Sequence, residues 1–354
     1  MRVLLLGGSW FLGRLIINDF ARRGFDVTVF NRGRSSVPPS NGVRYVHGDR
    51  ERDDDLHTLV QSGPWDVVVD VSGKVPAIVR RSVQALAGVA KRYVSVSTVR
   101  VYRDWPNVPV DEDSALWPGD PDHDPGTRTW NPDTYGPLKA GCEIACREAF
   151  GDDRLLLLRL HEMIGEYEYV GPLRSWLERM RRGGPVLVPG PDRAIQPIDV
   201  RDVACFLVDQ VQRGATGVFN VAAPEGRTYS ALLQSCAGVT AAGSDDAPEL
   251  VWADQDWLVD QGVQQWTELP LWRNAAAHWS VSNDRAVEAG LQCRPLAQTI
   301  ANTWQWLKSE GQPADHPRST GYGMDPARES AIIARWRARA ALPGESQRAT
   351  RTYI

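Results

Sequence analysis

The sequence predicts an α/β fold, a doubly wound parallel sheet followed by a smaller C-terminal lobe. Three observations predict it. Strand-like and helix-like segments alternate strictly through the first 160 residues, the strand candidates are short, apolar and β-branched, and the alternation loosens past Leu160. The strand candidates are residues 3–6, 27–30, 43–46, 67–70, 93–97 and 155–160, and helical windows fall near residues 12–23, 53–61, 77–90 and 135–150. Residues 103–134 break the rhythm with six prolines, many acids and no apolar period. A long loop of that kind is expected to act as a lid or binding loop. Beyond it the pattern reads as a helix near 173–182, a strand near 195–200, a helix to 212 and a strand at 218–221. A small-residue linker at 237–248 and helices near 254–261, 284–289 and 296–309 follow. From Gly311 onward seven arginines face four acids, which predicts a basic tail over 311–354, partly disordered, with one helix near 330–341.

Composition narrows the function classes. At 42% hydrophobic and 24% charged residues the chain is an ordinary globular protein, which excludes collagen-like and coiled-coil classes. A net charge of −4 provides no field to gather phosphate backbones, so no nucleic acid is expected as a partner. Five cysteines, odd in number and without Cys-x-x-Cys spacing, argue against a disulfide framework and a zinc site, and the histidines are scattered, so no metal is expected. The apolar run at the start is too short for a signal segment, and no run of 18 apolar residues follows. A cytoplasmic protein without a membrane partner is expected.

The first strand runs into Gly7-Gly8-Ser9-Trp10-Phe11-Leu12-Gly13 and then directly into an amphipathic helix. Such a turn presents backbone amides and a helix start to a pyrophosphate, so Gly7, Ser9, Trp10, Phe11, Leu12 and Gly13 are cofactor-binding candidates in a Rossmann-like sheet. Trp10 stands where the fingerprint has its middle glycine. About 20 residues on, where a ribose-reading acid would sit, the chain has Asn31-Arg32-Gly33-Arg34. Without an acid nothing repels a 2′-phosphate, and guanidinium groups pair with one, so NADP is favoured over NAD. Asp49 and Arg50 after the third strand, and Val71, Ser72 and Gly73 after the fourth, join the cofactor set because ligands bind at the carboxyl ends of such strands.

Tyr135 and Lys139 stand one helical turn apart. Nine tyrosines and four lysines in 354 residues would meet at this spacing by chance about 0.1 times. A phenol titrates near 10, and a cation beside it lowers that toward working pH, so Tyr135 can take or return a substrate hydroxyl proton. Thr98, at the end of the fifth strand, is the candidate for holding the same substrate oxygen, with Ser97 second.

The glycine turn, Ser97-Thr98-Val99-Arg100-Val101-Tyr102, and Tyr135 with Lys139 together resemble the extended short-chain dehydrogenases/reductases of the NAD-dependent epimerase/dehydratase family, over roughly residues 1–307. The resemblance implies an NAD(P)-dependent dehydrogenase/reductase, epimerase or dehydratase acting on a sugar nucleotide, a nucleoside or a related polyhydroxylated small molecule. It implies Tyr135, Lys139 and Thr98 as catalytic trio, and Gly7, Gly13, Arg32, Asp49 and Ser72 as cofactor contacts. It also implies a homodimer and an interleaved chain: residues 1–164 with 197–222 as nucleotide domain, 165–196 and 223–310 as substrate lobe. In the family's 4,6-dehydratases an Asp-Glu pair follows the threonine; here Val99-Arg100 does, which disfavours that elimination and leaves Arg100 as a substrate-binding candidate. His161 and Glu162, just past the sixth strand, are further catalytic candidates, since imidazole suits proton transfer near neutral pH. Trp272 is a candidate platform for a sugar ring. The rival reading is a catalytically silent RNA-binding protein, because the chloroplast stem-loop RNA-binding proteins have a similar glycine turn and Asn-Arg-Gly.

Overall fold

The computed structural model describes residues 1–34, 40–129, 131–190, 193–241, 247–310 and 321–340. The chain divides into two compact units, one comprising Met1–Tyr167, Gln196–Glu225 and Ala275–Arg294, the other Glu168–Ile195, Gly226–Asn274 and Pro295–Ile354.

The first unit carries β1 (Arg2–Leu6), α1 (Phe11–Arg22), β2 (Asp26–Asn31), β3 (Arg44–His47), α2 (Asp53–Gln61), β4 (Trp65–Asp70), α3 (Pro76–Leu86), β5 (Ala90–Thr98), α4 (Pro132–Phe150), β6 (Leu155–Leu160) and β7 (Met163–Ile164). The second unit begins with α5 (Pro172–Arg181) and β8 (Gly184–Pro189), after which the first resumes with β9 (Ile198–Asp199), α6 (Val200–Arg213) and β10 (Gly217–Val221). The second unit adds α7 (Tyr229–Ala241), β11 (Pro248–Ala253) and α8 (Gln255–Asp260), the first takes α9 (Asp284–Glu288), and the second ends with α10 (Leu296–Glu310) and α11 (Pro326–Ala340).

Seven strands form one sheet in the order β10-β6-β5-β4-β1-β2-β3, every pair parallel. This is the doubly wound Rossmann-like sheet that the apolar strand runs predict. Burial on both faces explains the composition: Leu4, Leu6, Val68 and Leu157 pack with Leu56, Leu59, Val83 and Phe150 on the face of α2, α3 and α4. Cys142 and Cys146 of α4 lie in the same core, as packing residues. On the opposite face α1 packs along α6. Register then aligns the strand ends, because Leu6 pairs with Asp70, Asp70 with Ser95, Thr98 with Leu160 and Leu160 with Val221. The turns that follow β1, β4, β5 and β6 all open at this one edge, where the order reverses between β1 and β4.

Three expectations change. The second return, Ala275–Arg294, falls inside the stretch expected for the substrate lobe, and α9 packs beside β10. Residues 103–129 are not a loose lid. Arg103 N–H donates to Ala115 O at 2.9 Å, Trp117 N–H to Val101 O at 2.9 Å, and Val110 bridges to Val281 of that return. Trp105 and Val110 also bury their side chains beside Val101, Tyr102 and Val281. Within the expected tail, α11 packs against β8, pinned by Arg179 to Glu329 at 2.7 Å; residues 311–320 and 341–354 of that tail lie outside the described residues. Sequence periodicity also missed α7 and the two-stranded sheet of β8 and β11 in the second unit.

Candidate active site

The glycine turn is shaped by close packing. Gly7 has φ +97°, where L residues are strained, and a Cβ there would lie 2.8 Å from Ser72 Cβ. A Cβ on Gly13 would meet the Gly8 backbone, its carbonyl carbon at 3.0 Å, so α1 can begin close against the turn. Trp10 sits at the N-cap with extended backbone and makes no side-chain cap hydrogen bond. These features fit a dinucleotide pyrophosphate at this turn. Ser9 and Asn31 join the turn to the end of β2 by an Asn31 Nδ2 to Ser9 Oγ bond of 3.2 Å. Asn31 Oδ1 also accepts from Gly33 N–H at 2.9 Å, so Asn31 serves as a brace. Arg32 and Arg34 are exposed beyond it.

Of the other cofactor candidates, Asp49 Oδ1 accepts from Glu51 N–H at 3.1 Å, and Ser72 Oγ donates to Leu6 O at 3.1 Å, holding the turn after β4 over Gly7. Val71 N–H donates to Leu6 O at 3.2 Å. Arg50 departs from the expectation of a cofactor contact. Its guanidinium turns inward and grips Asp70 with bonds of 3.0 and 2.8 Å, while Tyr93 O–H donates to the same carboxylate at 2.9 Å. Burial pushes the Asp70 carboxyl up, but Arg50 and its other donors outweigh that and hold it below its usual range.

Asn131 caps α4 by accepting from Asp133 N–H at 2.9 Å, Pro132 opens the helix, and Tyr135 and Lys139 occupy its first two turns. Tyr135 is half-buried; Lys139 is 2% exposed. Lys139 Nζ donates to Gly73 O at 2.6 Å and Val96 O at 2.8 Å, bridging the ends of β4 and β5. Burial pulls its pKa down, yet electrostatic coupling to Tyr135, Cys142, Asp70 and Glu143 prevails and raises it, so the ammonium persists at neutral pH. Gly136 permits this seat: a Cβ there would strike the Arg100 carbonyl oxygen and lie 3.0 Å from the Trp117 ring. Thr98 is half-buried, and its Oγ1 accepts from Arg100 N–H at 3.3 Å, which leaves its own O–H to donate elsewhere. Ser97 is committed inward to Glu143.

His161 is not placed as a proton shuttle. It is 5% exposed among the rings of Trp105, His278 and Trp279, and its Nε2 faces the His278 carbonyl at 2.9 Å, so it is a donor there. Burial pushes its pKa down to about 3, so the ring is neutral at working pH. Glu162 faces Arg100 at 3.7 Å. Trp272, in the second unit, is 1% exposed with its indole N–H on Gln255 Oε1 at 3.1 Å, which makes it a packing residue without an open face. Sequence reasoning missed the buried Glu143–Arg159 pair at 2.8 Å, which ties α4 to β6 and reaches Tyr102 through Arg159 Nη1 at 3.0 Å. Glu143 stands one turn beyond Lys139, a spacing that could have drawn attention to it. Among the described residues no group of acids, histidines and cysteines could hold a metal ion, and no helix is long and apolar enough to cross a membrane.

Comparison with known proteins follows the same lines. The structure resembles the Bordetella bronchiseptica enzyme WbmH, solved with NAD+, with a TM-score of 0.66 and 17% identity over 88% of this chain and 99% of that one. It resembles WbmG of the same organism, solved with NAD and UDP, with a TM-score of 0.65 and 19% identity over 88% and 96% of the two chains. It also resembles the Thermus thermophilus UDP-glucose 4-epimerase solved with NAD, with a TM-score of 0.63 and 18% identity over 87% and 99%. At these identities the likeness concerns the fold. A curated relative, the chloroplast stem-loop binding protein of 41 kDa b from Arabidopsis thaliana, is 23% identical over 267 residues, which span 71% of this chain and 65% of that protein. Residues 3–222 match the profile of the NAD dependent epimerase/dehydratase family, the stretch that carries the glycine turn, Thr98, Tyr135 and Lys139. The chain belongs to that family.

Proposed function

We propose that the enzyme exchanges hydride with a secondary alcohol or the matching ketone of a polyhydroxylated small molecule, with Tyr135 as acid/base. The observation that carries this reading is the buried Lys139 ammonium, fixed on the ends of β4 and β5 and electrostatically coupled to Tyr135. The bound nicotinamide would accept or supply the hydride. Tyr135 takes the hydroxyl proton as the alcohol is oxidised and returns it on reduction. Lys139 stabilises the phenolate by charge, and Thr98 steadies the substrate oxygen with its unspent O–H. Gly7, Phe11, Leu12 and Gly13 would line the pyrophosphate. Sugar nucleotides, nucleosides and related glycosylated molecules are the proposed substrates. A sugar nucleotide is supported by neighbours such as WbmG, solved with UDP, and the UDP-glucose 4-epimerase.

NADP is the proposed cofactor in preference to NAD, because Arg32 and Arg34 stand exposed past β2 and no acid occupies that strand end. Tighter binding of NADPH than NADH, narrowed by Arg32→Ala, is the expected titration result. A homodimer is the proposed assembly, to be read from the solution mass.

Tyr135→Phe tests the central assignment. Turnover should fall by about 10³-fold or more with cofactor affinity nearly unchanged, and retained turnover refutes the role. A second reading, RNA binding without catalysis, is favoured by the likeness to the chloroplast protein. Filter binding across a salt series separates the two: RNA affinity with a steep salt slope would support the second.

A further inference from the structure

Three guanidinium groups of the first unit are each gripped by both oxygens of one carboxylate. Arg50 reaches both oxygens of Asp70 at 3.0 and 2.8 Å, Arg159 both oxygens of Glu143 at 3.2 and 2.8 Å, and Arg201 both oxygens of Asp199 at 3.0 and 2.6 Å. Each fork is filled by a planar carboxylate. Arg100 has a similar setting without the filling. Its side chain is 23% exposed, its guanidinium lies over the Trp105 ring at 5.2 Å, and Glu162 approaches to 3.7 Å, an ion-pair distance beyond hydrogen-bond reach. Among the described residues its side-chain N–H groups make no hydrogen bond. The floor beneath offers no anion, since Trp105 packs on the neutral His161 and on His278.

Where that fork stands is fixed from both sides. The Arg100 amide donates to Thr98 Oγ1, and the Arg100 carbonyl abuts Gly136, the neighbour of Tyr135. The Arg100 backbone therefore lies between the residue proposed to hold the substrate oxygen and the helix turn of the one proposed to move its proton, and its side chain sets out from there to lie over Trp105 beside Glu162.

We infer that Arg100 receives a carboxylate carried by the substrate close to the reacting carbinol, making the substrate a sugar acid or related polyhydroxy acid. The inference rests on the hydride-transfer reading above and names its substrate class. Trp105 holds the guanidinium plane, so a carboxylate docks edge-on through two parallel N–H bonds. Glu162 keeps the arginine paired in charge before substrate arrives, and competes mildly with it.

The test is calorimetry on enzyme saturated with NADP or NAD, using matched probes: D-glucuronate, D-glucose and D-glucose 6-phosphate, and UDP-glucuronate against UDP-glucose. The carboxylate member should bind about ten-fold tighter than its neutral partner. Arg100→Gln should reduce that preference to under about two-fold, Arg100→Lys should restore part of it, and Glu162→Gln should enlarge it. Cofactor affinity within about two-fold of wild type shows that the variants are folded. The inference is overturned if cofactor-loaded wild type binds no carboxylate probe, shows no preference for one, prefers the phosphate, or keeps its preference in Arg100→Gln. Failure of wild type to bind either dinucleotide overturns the hydride-transfer reading itself, and this inference with it.

Discussion

Lys139 and His161 are both sealed at the carboxyl-end edge of one sheet, at 2% and 5% exposure, yet one keeps its charge and the other does not. Burial disfavours the charged form of each. Lys139 overcomes it with two carbonyl acceptors and with electrostatic coupling to neighbours that include the carboxylates Asp70 and Glu143. His161 has aromatic rings for neighbours, its one helpful contact is the His278 carbonyl, and the nearby positive charge of Arg100 opposes protonation. A titratable residue at a strand end thus becomes chemistry or packing according to what fills its immediate shell.

The comparison breaks first at Lys139. Lys139→Met removes the cation and leaves the Gly73 and Val96 carbonyls without their donor, and turnover should fall about 10³-fold with some loss of melting temperature; a fall under ten-fold would put the two residues on the same footing. Gly136→Ala comes next. The added methyl must push α4 off the Arg100 carbonyl and shift Tyr135, and a misplacement near 1 Å costs about 10²-fold in kcat. Unchanged kcat would show that this close approach does not set the catalytic geometry.

Stability against pH probes the other residue. The unfolded imidazole takes up a proton near 6.5 while the folded one resists to about 3, so the unfolded state binds more protons in that window. Stability should therefore fall as pH drops below about 6.5, by up to about 1.4 kcal/mol per pH unit from this group, and His161→Phe should flatten the slope. The smallest effect is on catalysis itself: His161→Phe should change kcat by less than about three-fold at neutral pH. A large loss there would return His161 to the catalytic set.

Much of this was legible in the sequence because parallel strands buried on two faces must be apolar runs, and such runs followed by Gly7-Gly8 or by Ser97-Thr98 mark their carboxyl ends. The Tyr135–Lys139 pair was legible for the same reason, as a fixed spacing on one helix. Arg50 was misread because position after a strand says nothing about which way a long side chain turns, and Asp70, at the end of β4, draws it inward. His161 was misread because its surroundings come from Trp105 and from His278 and Trp279, more than a hundred residues further on. The Glu143–Arg159 pair escaped notice because neither residue looks buried until α4 lies on the sheet.

The seat of Lys139 has a consequence for traffic at the site. An ammonium owns three hydrogens, and two of them are spent on Gly73 O and Val96 O. A single hydrogen remains, and tetrahedral geometry gives it one heading. Only one acceptor at a time can take it squarely, so any groups that compete for it exclude one another.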